Sequence, residues 1–526
     1  MKKFSTYYIL LFIGLSSTLF AGTTGKISGQ IVSATSNEGL ISANVMLLGT
    51  NLGSSTDING YYSIINVPPG TFEMQVHYMG YATHRIQNIK VHIDRTTTQN
   101  VSLLEESVEL NEIIVKAERP IIEKDRTHSS TKVTSDMVDQ MPVTEISEII
   151  SLQPGVVNSG GLHFRGGRSR EVAYLIDGVP VTNSFSQGGG NNIPIENAMV
   201  EELEVISGTF NAEYGSAQSG IVNIVTKRIE HEFHGTVKAY MGDWFSNQSD
   251  IFLGIDDYNP LGELDKQFTL SGPFLHKNMG FFISGRFNNW ESKEWYERRY
   301  NIIDGWKISA YERWFREHNP SEYAASQGIL IPDSLKTGDG ARGPLRTGKQ
   351  NSKTAKLSWL PTEKINFIYQ FFGSNSNSNG GGSSRRYQPD GSSKSINWSG
   401  SHIISFKHFP AQNFFYNITL SYQHNNSESY YRKDNKVALF PGDTGIQLIN
   451  ANVSGFSLGS TDGFYTGKDG KGYRDLYLVK GDFNWQINRR NFIKAGFEFK
   501  QHDVNTYSWG VRQTNVWKNS QWPNQS

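Results

Sequence analysis

From residue 231 onward the sequence alternates apolar and polar side chains in runs of about ten residues, the length a tilted strand needs to cross a bilayer. Phe281, Ile283, Gly285 and Phe287 lie opposite Ser284, Arg286 and Asn288. Ile365, Phe367, Tyr369 and Phe371 oppose Asn366 and Gln370. The same pattern recurs at Phe414–Gln423, Tyr477–Gln486 and Ile493–Lys500. One face suits lipid and the other suits water. No later apolar stretch is long enough for a spanning helix, so membrane residence requires a closed β-barrel. Short turns at Pro273–Asn278, Pro361–Lys364, Pro410–Asn413 and Asn488–Asn491 alternate with long polar connections at 242–264, 289–352, 373–399 and 425–473. A soluble sandwich has no reason to sort its connections this way, whereas a barrel with short turns inside and long loops outside does. Ser374–Asn379 and the glycines after it are expected to form a mobile outer loop.

The start of the chain reads as an export signal, residues 1–21. Lys2 and Lys3 precede a short apolar run from Tyr7 to Leu15, with cleavage expected near Ala21. Zero cysteines exclude disulfides and thiolate metal sites. Fifty basic and fifty acidic residues, with no block of one sign, give no nucleic-acid surface.

Residues 25–104 alternate with period two in shorter runs. Ala43, Val45 and Leu47 form one such run, and Phe72, Met74, Val76 and Tyr78 another. Asn59-Gly60 and Pro68-Pro69-Gly70 mark turns, and the spacing predicts a small β-sandwich. The order from Gly29 through Thr56–Tyr62 to Gly80-Tyr81 resembles the carboxypeptidase-regulatory-like domain, a non-catalytic accessory module. Asp57-x-Asn59-Gly60 reads as a hairpin turn in preference to a calcium loop, because no glutamate follows at the required spacing.

Next comes a linker, residues 105–118, holding Glu112-Ile113-Ile114-Val115-Lys116-Ala117. This β-prone segment between polar flanks has two readings: an isolated segment free to join a partner's sheet edge, or the last strand of the preceding sandwich. Residues 119–230 follow. A short amphipathic helix is expected with Ile146, Ile149 and Ile150 on one face, closed by Pro154-Gly155. Then come Phe164-Arg165-Gly166-Gly167-Arg168 with Arg170, Val172 to Pro180 with Asp177-Gly178, and Val200–Gly208 with Glu201, Glu202 and Glu204. Ala212-Glu213-Tyr214-Gly215 and Ser219–Lys227 complete the series.

In this order the series resembles the plug domain of TonB-dependent receptors, in which a small mixed sheet fills the barrel lumen. The resemblance makes Glu112 to Ala117 the TonB box and 231–526 the N-terminal part of the barrel. It implies a mostly β protein: an N-terminal sandwich, a mixed α/β plug and an antiparallel transmembrane barrel. Nine barrel strands are legible, fewer than the family's roughly 22, so the remaining barrel strands are expected beyond this chain.

The implied function is import of an extracellular ligand across the outer membrane of a Gram-negative-type bacterium, driven by a periplasmic TonB-type protein. Outer-membrane lipid, an unidentified ligand and a surface lipoprotein are the other partners this implies, with the sandwich in the periplasm. The alternative on the same scaffold is a surface adhesin or complex-forming subunit. The apical plug loop offers Asn183, Phe185, Gln187, Asn191 and Asn192 for ligand contact, and an inert connector is the competing reading.

Arg165, Arg168 and Arg170 together with Glu201, Glu202 and Glu204 are expected to latch the plug to lumen-facing Lys356, Lys480, Asp482 and Glu498 by charge-assisted hydrogen bonds. No enzyme, cofactor or metal site is expected. Gly455-Phe456-Ser457-Leu458-Gly459 lies in a loop without the helix a nucleophile elbow needs. His231 and His234 would point to opposite faces of a strand.

Overall fold

The computed structural model describes residues 23–105, 112–116, 129–141, 145–183, 189–208, 217–229, 232–249, 252–301, 332–381, 386–430, 469–488 and 491–509, with short pieces at 143, 304, 311, 314–321, 450–453 and 456–459. The export signal, Ala117, Phe185, Gln187, Tyr214, Gly215, His231 and Gly455 lie outside the described residues.

The N-terminal unit is a two-sheet sandwich. One sheet joins β1 (Gly25–Ser33) to β4 (Tyr61–Val67), β7 (Thr96–Thr98) and β8 (Val101–Leu103). The other runs β3 (Gly53–Ser55), β2 (Asn44–Leu47), β5 (Gly70–His77), β6 (Thr83–Val91) and β9 (Glu112–Lys116). Period-two alternation turns Ile27, Ile31, Val45, Leu47, Phe72, Met74 and Val76 into a shared core. The Asp57 carboxylate holds the turn, its Oδ1 accepting the amides of Asn59 and Tyr61, each at 2.9 Å. This is the hairpin reading of that motif.

The second unit is a mixed sheet in the order β10 (Ser129–Thr134), β15 (Val200–Ser207), β16 (Gly220–Thr226), β13 (Val172–Ile176) and β14 (Val179–Pro180). Its layer is completed by α1 (Ser135–Gln140), α2 (Ile146–Ser151) and the hairpin of β11 (Val156–Asn158) with β12 (Leu162–Phe164). Ile146, Ile149 and Ile150 are buried, as their spacing demands, and Gly155 ends the segment in the left-handed region at φ +80°. The β13–β14 connection is the two-residue Asp177-Gly178 turn. Both residues have positive φ, +47° and +78°, the geometry that matches the twist of a tight hairpin.

The third unit is one antiparallel sheet of nine strands paired in chain order: β17 (His234–Gly242), β18 (Glu263–Phe274), β19 (His276–Glu291), β22 (Thr347–Thr362), β23 (Ile365–Gly380), β24 (Ser393–Ala411), β25 (Phe414–Tyr430), β28 (Asp469–Gln486) and β29 (Phe492–Trp509). Two small ribbons, β20 (Trp295–Glu297) with β21 (Arg342–Pro344) and β26 (Asn450–Val453) with β27 (Phe456–Gly459), sit in the long connections. The sheet does not close among the described residues. Its outer face exposes Phe268, Leu357, Trp359, Phe367, Leu420, Val479, Trp485 and Phe499, while Ser284, Arg286, Thr354, Gln370, Thr419, Gln423 and Lys480 are buried on the inner face. No described helix is long and apolar enough to cross a membrane.

One expectation is corrected. Ser374–Asn379 do not form a loop: they continue β23, paired in register with β24 from Ser374↔Ser399 to Gly380↔Ser393. Polar strands remain strands wherever a neighbour supplies their backbone partners, and Ser374, on the inner face, is buried.

The sandwich has its own closed core, so its stability is separable. Leu47→Ala removes a side chain with no exposure and is expected to cost about 2–5 kcal/mol. Urea denaturation of residues 23–116 followed by circular dichroism measures it.

Candidate functional site

The plug sheet lies against the inner face of the nine strands, and the seam between them is mostly polar. The Asp177-Gly178 turn is its most heavily bonded point. Asp177 fixes its own sheet, with Oδ1 accepting the Thr226 amide at 2.9 Å and Oδ2 the Thr226 hydroxyl at 2.5 Å. From the wall, Gln370 Nε2 donates to Asp177 Oδ2, and Lys356 Nζ lies 3.8 Å from the same oxygen. Lys356 also donates to Thr226 Oγ1 at 2.8 Å and to the Lys227 carbonyl at 3.1 Å. Lys480 Nζ donates to the Gly178 carbonyl at 2.9 Å. Further along, Gln423 Nε2 reaches the Pro180 carbonyl at 2.9 Å, and an Arg474 guanidinium nitrogen reaches Asn183 Oδ1 at 2.8 Å.

A second node centres on Arg286 of β19, almost fully buried. Its guanidinium meets Asp265 of β18 at 2.6 Å and plug residues Glu145 at 2.6 Å and Glu196 at 3.7 Å. Ser352 Oγ of β22 donates to Glu196 Oε1. Burial pushes the Glu196 carboxyl above the usual glutamate range, and the Arg286 charge and the Ser352 hydroxyl oppose that shift. The seam is not wholly wet, because Phe282, Phe372 and Ile403 of the wall join the plug's apolar core.

Of the groups expected to form a latch, Lys356 and Lys480 bond the plug at Asp177, Thr226, Lys227 and Gly178, whereas Arg165, Arg168 and Arg170 are exposed and form no ion pair with a barrel strand among the described residues. Arg165 and Gly166 occupy a tight turn at φ +47° and +83°, closed by the Gly167 amide on the Phe164 carbonyl at 2.8 Å. The cations come from the wall and the acceptors from the plug. Asp482 pairs with Lys480 at 3.3 Å and Glu498 with Lys500, both within the wall. Glu145, Glu196 and Asp265 escaped the sequence reading, and the role of Arg286 did too. Alternation placed Arg286 on the inner face, but nothing in one sequence announces which distant carboxylates meet there.

Glu201, Glu202 and Glu204 serve a different joint, between plug and sandwich. Glu202 Oε2 meets His92 Nδ1 at 2.8 Å, and its Oε1 accepts the Ile93 amide at 3.2 Å. Lys132 Nζ lies 3.3 Å from Glu202 and 3.7 Å from Glu204, and donates to the Ile93 carbonyl at 2.6 Å. Gly70, at φ +134°, leaves room for Glu201 and for Arg228, whose guanidinium stacks 4.4 Å above Phe72. The sandwich also touches the wall through Lys26 to Gln486 at 3.0 Å and Lys494 to Asp94 at 2.8 Å. These contacts lie at the short-turn end of the strands.

At the opposite end, plug and wall enclose a cavity of about 560 Å³. Asn158, Asn191, Asn192, Gln350, Ser374 and Asn397 line it, with Glu196 and Arg286 in its wall. Of the five expected ligand-contact residues, Asn191 and Asn192 reach this cavity and Asn183 is held by Arg474. Glu112–Lys116 is not isolated: β9 pairs parallel with β6 from Thr83↔Glu112 to Gln87↔Lys116, which is the sandwich-strand reading of that segment.

An antiparallel sheet with an apolar outer face and a small mixed sheet against its polar inner face has the architecture of a plug on part of a β-barrel wall. Residues 123–222 match the TonB-dependent receptor plug domain and residues 27–115 the CarboxypepD_reg-like domain. The chain is 25% identical over 293 residues to the TonB-dependent transporter Oar of Myxococcus xanthus, covering 51% of this chain and 27% of that protein. It is 28% identical over 213 residues to the probable TonB-dependent siderophore receptor PirA of Acinetobacter baumannii, covering 36% and 26%. The matched stretch thus spans about a quarter of these relatives' length. Among solved structures, the outer membrane transporter YddB of Escherichia coli superposes with a TM-score of 0.49 at 16% identity, over 72% of this chain and 48% of that one.

The Glu202 joint carries a pH dependence. Burial alone would raise its carboxyl, but the His92 hydrogen bond, the Lys132 charge and the Ile93 amide together hold it below the usual glutamate range. A lowered carboxyl stabilises the folded form above its unfolded pKa, roughly 4.3, and that stabilisation is lost as pH falls through the folded value. Protection of the Ile93 amide, its exchange rate relative to an unprotected amide at the same pH, is expected to fall on acidification below the glutamate range and, in Glu202→Gln, to be low throughout that window.

Proposed function

We propose that this chain supplies the energy-coupling segment, the plug and part of the wall of an outer-membrane importer. Ligand enters the cavity between the apical plug residues Asn191 and Asn192 and the barrel wall, on the extracellular side where the long connections lie. The sandwich occupies the periplasmic end. A TonB-type protein takes hold of Glu112–Ala117 and pulls, and the plug yields to open a path.

The observation that carries this reading is the polar seam. The contacts made by Asp177, Gly178, Glu145 and Glu196 to Gln370, Lys356, Lys480, Arg286 and Ser352 are ones that water can replace. A seam built wholly of apolar packing would resist a pull until many side chains lost contact together. Two relatives carry names that agree with import: a TonB-dependent transporter and a probable TonB-dependent siderophore receptor.

Ile114→Pro removes a backbone donor and fixes φ, so strand addition at this segment is expected to fail. In the complete receptor, surface binding of ligand persists while uptake stops. Uptake at the wild-type rate would refute the assignment, and would favour an adhesin that needs no energy coupling.

A further inference from the structure

The cavity at the long-connection end is walled by two rows of side chains that carry no charge. One row crosses four adjacent strands in register: Gln350 of β22 opposite Ser376 of β23, Ser376 opposite Asn397 of β24, and Asn397 opposite Ser427 of β25. The row nearer the short turns pairs Ser352, Ser374, Ser399 and Asn425 in the same way. Six of these eight side chains line the cavity; Ser352 and Ser427 do not. Paired strands lie about 4.8 Å apart and successive residues of one face roughly 6.7 Å, so the rows make a grid of hydroxyls and amides. Asn397 Nδ2 donates to Ser376 Oγ at 3.3 Å, and Ser427 Oγ donates to Asn397 Oδ1 at 2.7 Å. These two bonds hold the Asn397 amide in one orientation. On the inner face of these strands charge appears two rows lower, at Lys356, which already bonds the plug.

The charged groups of the cavity are Glu145, Glu196 and Arg286, among the described residues. The Arg286 guanidinium is committed: Nη1 meets Glu145 at 2.6 Å and Glu196 at 3.7 Å, and Nη2 meets Asp265 at 2.6 Å. Three carboxylates around one guanidinium leave this corner acidic. An anionic ligand brought here finds no free cation among the described lining residues, and a charge buried without a partner is costly. A peptide brings a terminal carboxylate with the same need. A sugar hydroxyl brings no charge. It donates and accepts at one atom, as a serine hydroxyl does, and it suits either end of an asparagine or glutamine amide. A site built of such groups holds a ligand rich in hydroxyls and rejects one without them, because its own polar groups would be left unpaired. Leu162 and Pro194 on the plug side add apolar surface for the C–H faces of sugar rings.

We infer that the ligand of this cavity is an oligosaccharide without ionised groups, held by the hydroxyls and amides of the two rows, and that the acids gathered around Arg286 turn anionic ligands away. This rests on the reading of the cavity as the ligand's entry site, and it supplies the substrate class for that site.

The test applies the complete receptor, purified in detergent, to an array of neutral glycans, sialylated and sulfated glycans, and short peptides. Affinity for the best-bound neutral glycan is then measured by calorimetry beside that for a ferric catecholate chelate. A neutral glycan is expected to bind most tightly, with an affinity that changes less than about twofold between low and high salt. Asn397→Ala is expected to weaken it about tenfold, because the amide can make two hydrogen bonds to one sugar. Ser376→Ala is expected to weaken it less. Heat-modifiable gel migration shows that the barrel of each variant is folded. Tighter binding of a peptide, an anionic glycan or the ferric chelate overturns the inference. So does an array on which no neutral glycan binds, or a folded Asn397→Ala barrel with wild-type affinity. Uptake separates the two levels. A neutral glycan that binds through Asn397 but enters cells no faster with the receptor than without it removes the importer and leaves the substrate class. Import of the ferric chelate with no neutral glycan bound does the reverse.

Discussion

A backbone amide in hydrocarbon has no water to bond, so each one must find its partner within the protein. That constraint makes the wall a ladder of antiparallel strands paired in chain order from β17 to β29. It also sorts the side chains. Once alternate residues face lipid, everything that recognises, charges or grips must come from the other set. Arg286, Lys356, Gln370, Gln423 and Lys480 are all members of that inner set, and all five touch the plug.

A lumen filled by a separate sheet then poses a second problem, because in the proposed importer the filler must stay put and must also be able to move. The arrangement divides these duties in space. Phe282, Phe372 and Ile403 give the plug an apolar bed. Around that bed, wall cations meet plug carbonyls and carboxylates. Charge-assisted hydrogen bonds of this kind contribute about 1.5–3 kcal/mol each when partly dry. The Asp177-Gly178 turn concentrates several of them at one hairpin tip, where the backbone geometry needs an Asp-Gly pair for its own reasons. One dipeptide thus serves both the fold of the plug and its attachment.

Much of this was legible in the sequence, and the boundary follows the range of the physics. Period-two alternation gave the strands, their faces and the short turns, because a strand's side-chain direction is a local property. The plug helix and the Asp177-Gly178 turn were legible for the same reason. What stayed hidden depends on residues far apart in the chain. Glu145 and Arg286 meet across 141 positions (286 less 145), and no periodicity links them. Glu202 looked like a latch to the wall and instead holds His92 of the sandwich. The arginines at 165, 168 and 170 were assigned by sign alone, and sign does not say which neighbour a side chain reaches. Glu112–Lys116 had two readings because local propensity is the same for an isolated segment and for an edge strand; only the pairing with β6 separates them.

In the proposed importer, wall cations acting on plug acceptors set the force at which the plug yields. Single-molecule pulling from the Glu112–Ala117 end of the complete receptor in lipid measures that force directly. Arg286→Met and Lys356→Met are expected to lower it, each more than Arg165→Ala combined with Arg168→Ala, which is expected to leave it unchanged. An unchanged force in Arg286→Met and Lys356→Met, or a drop confined to the Arg165 and Arg168 variant, would contradict the account.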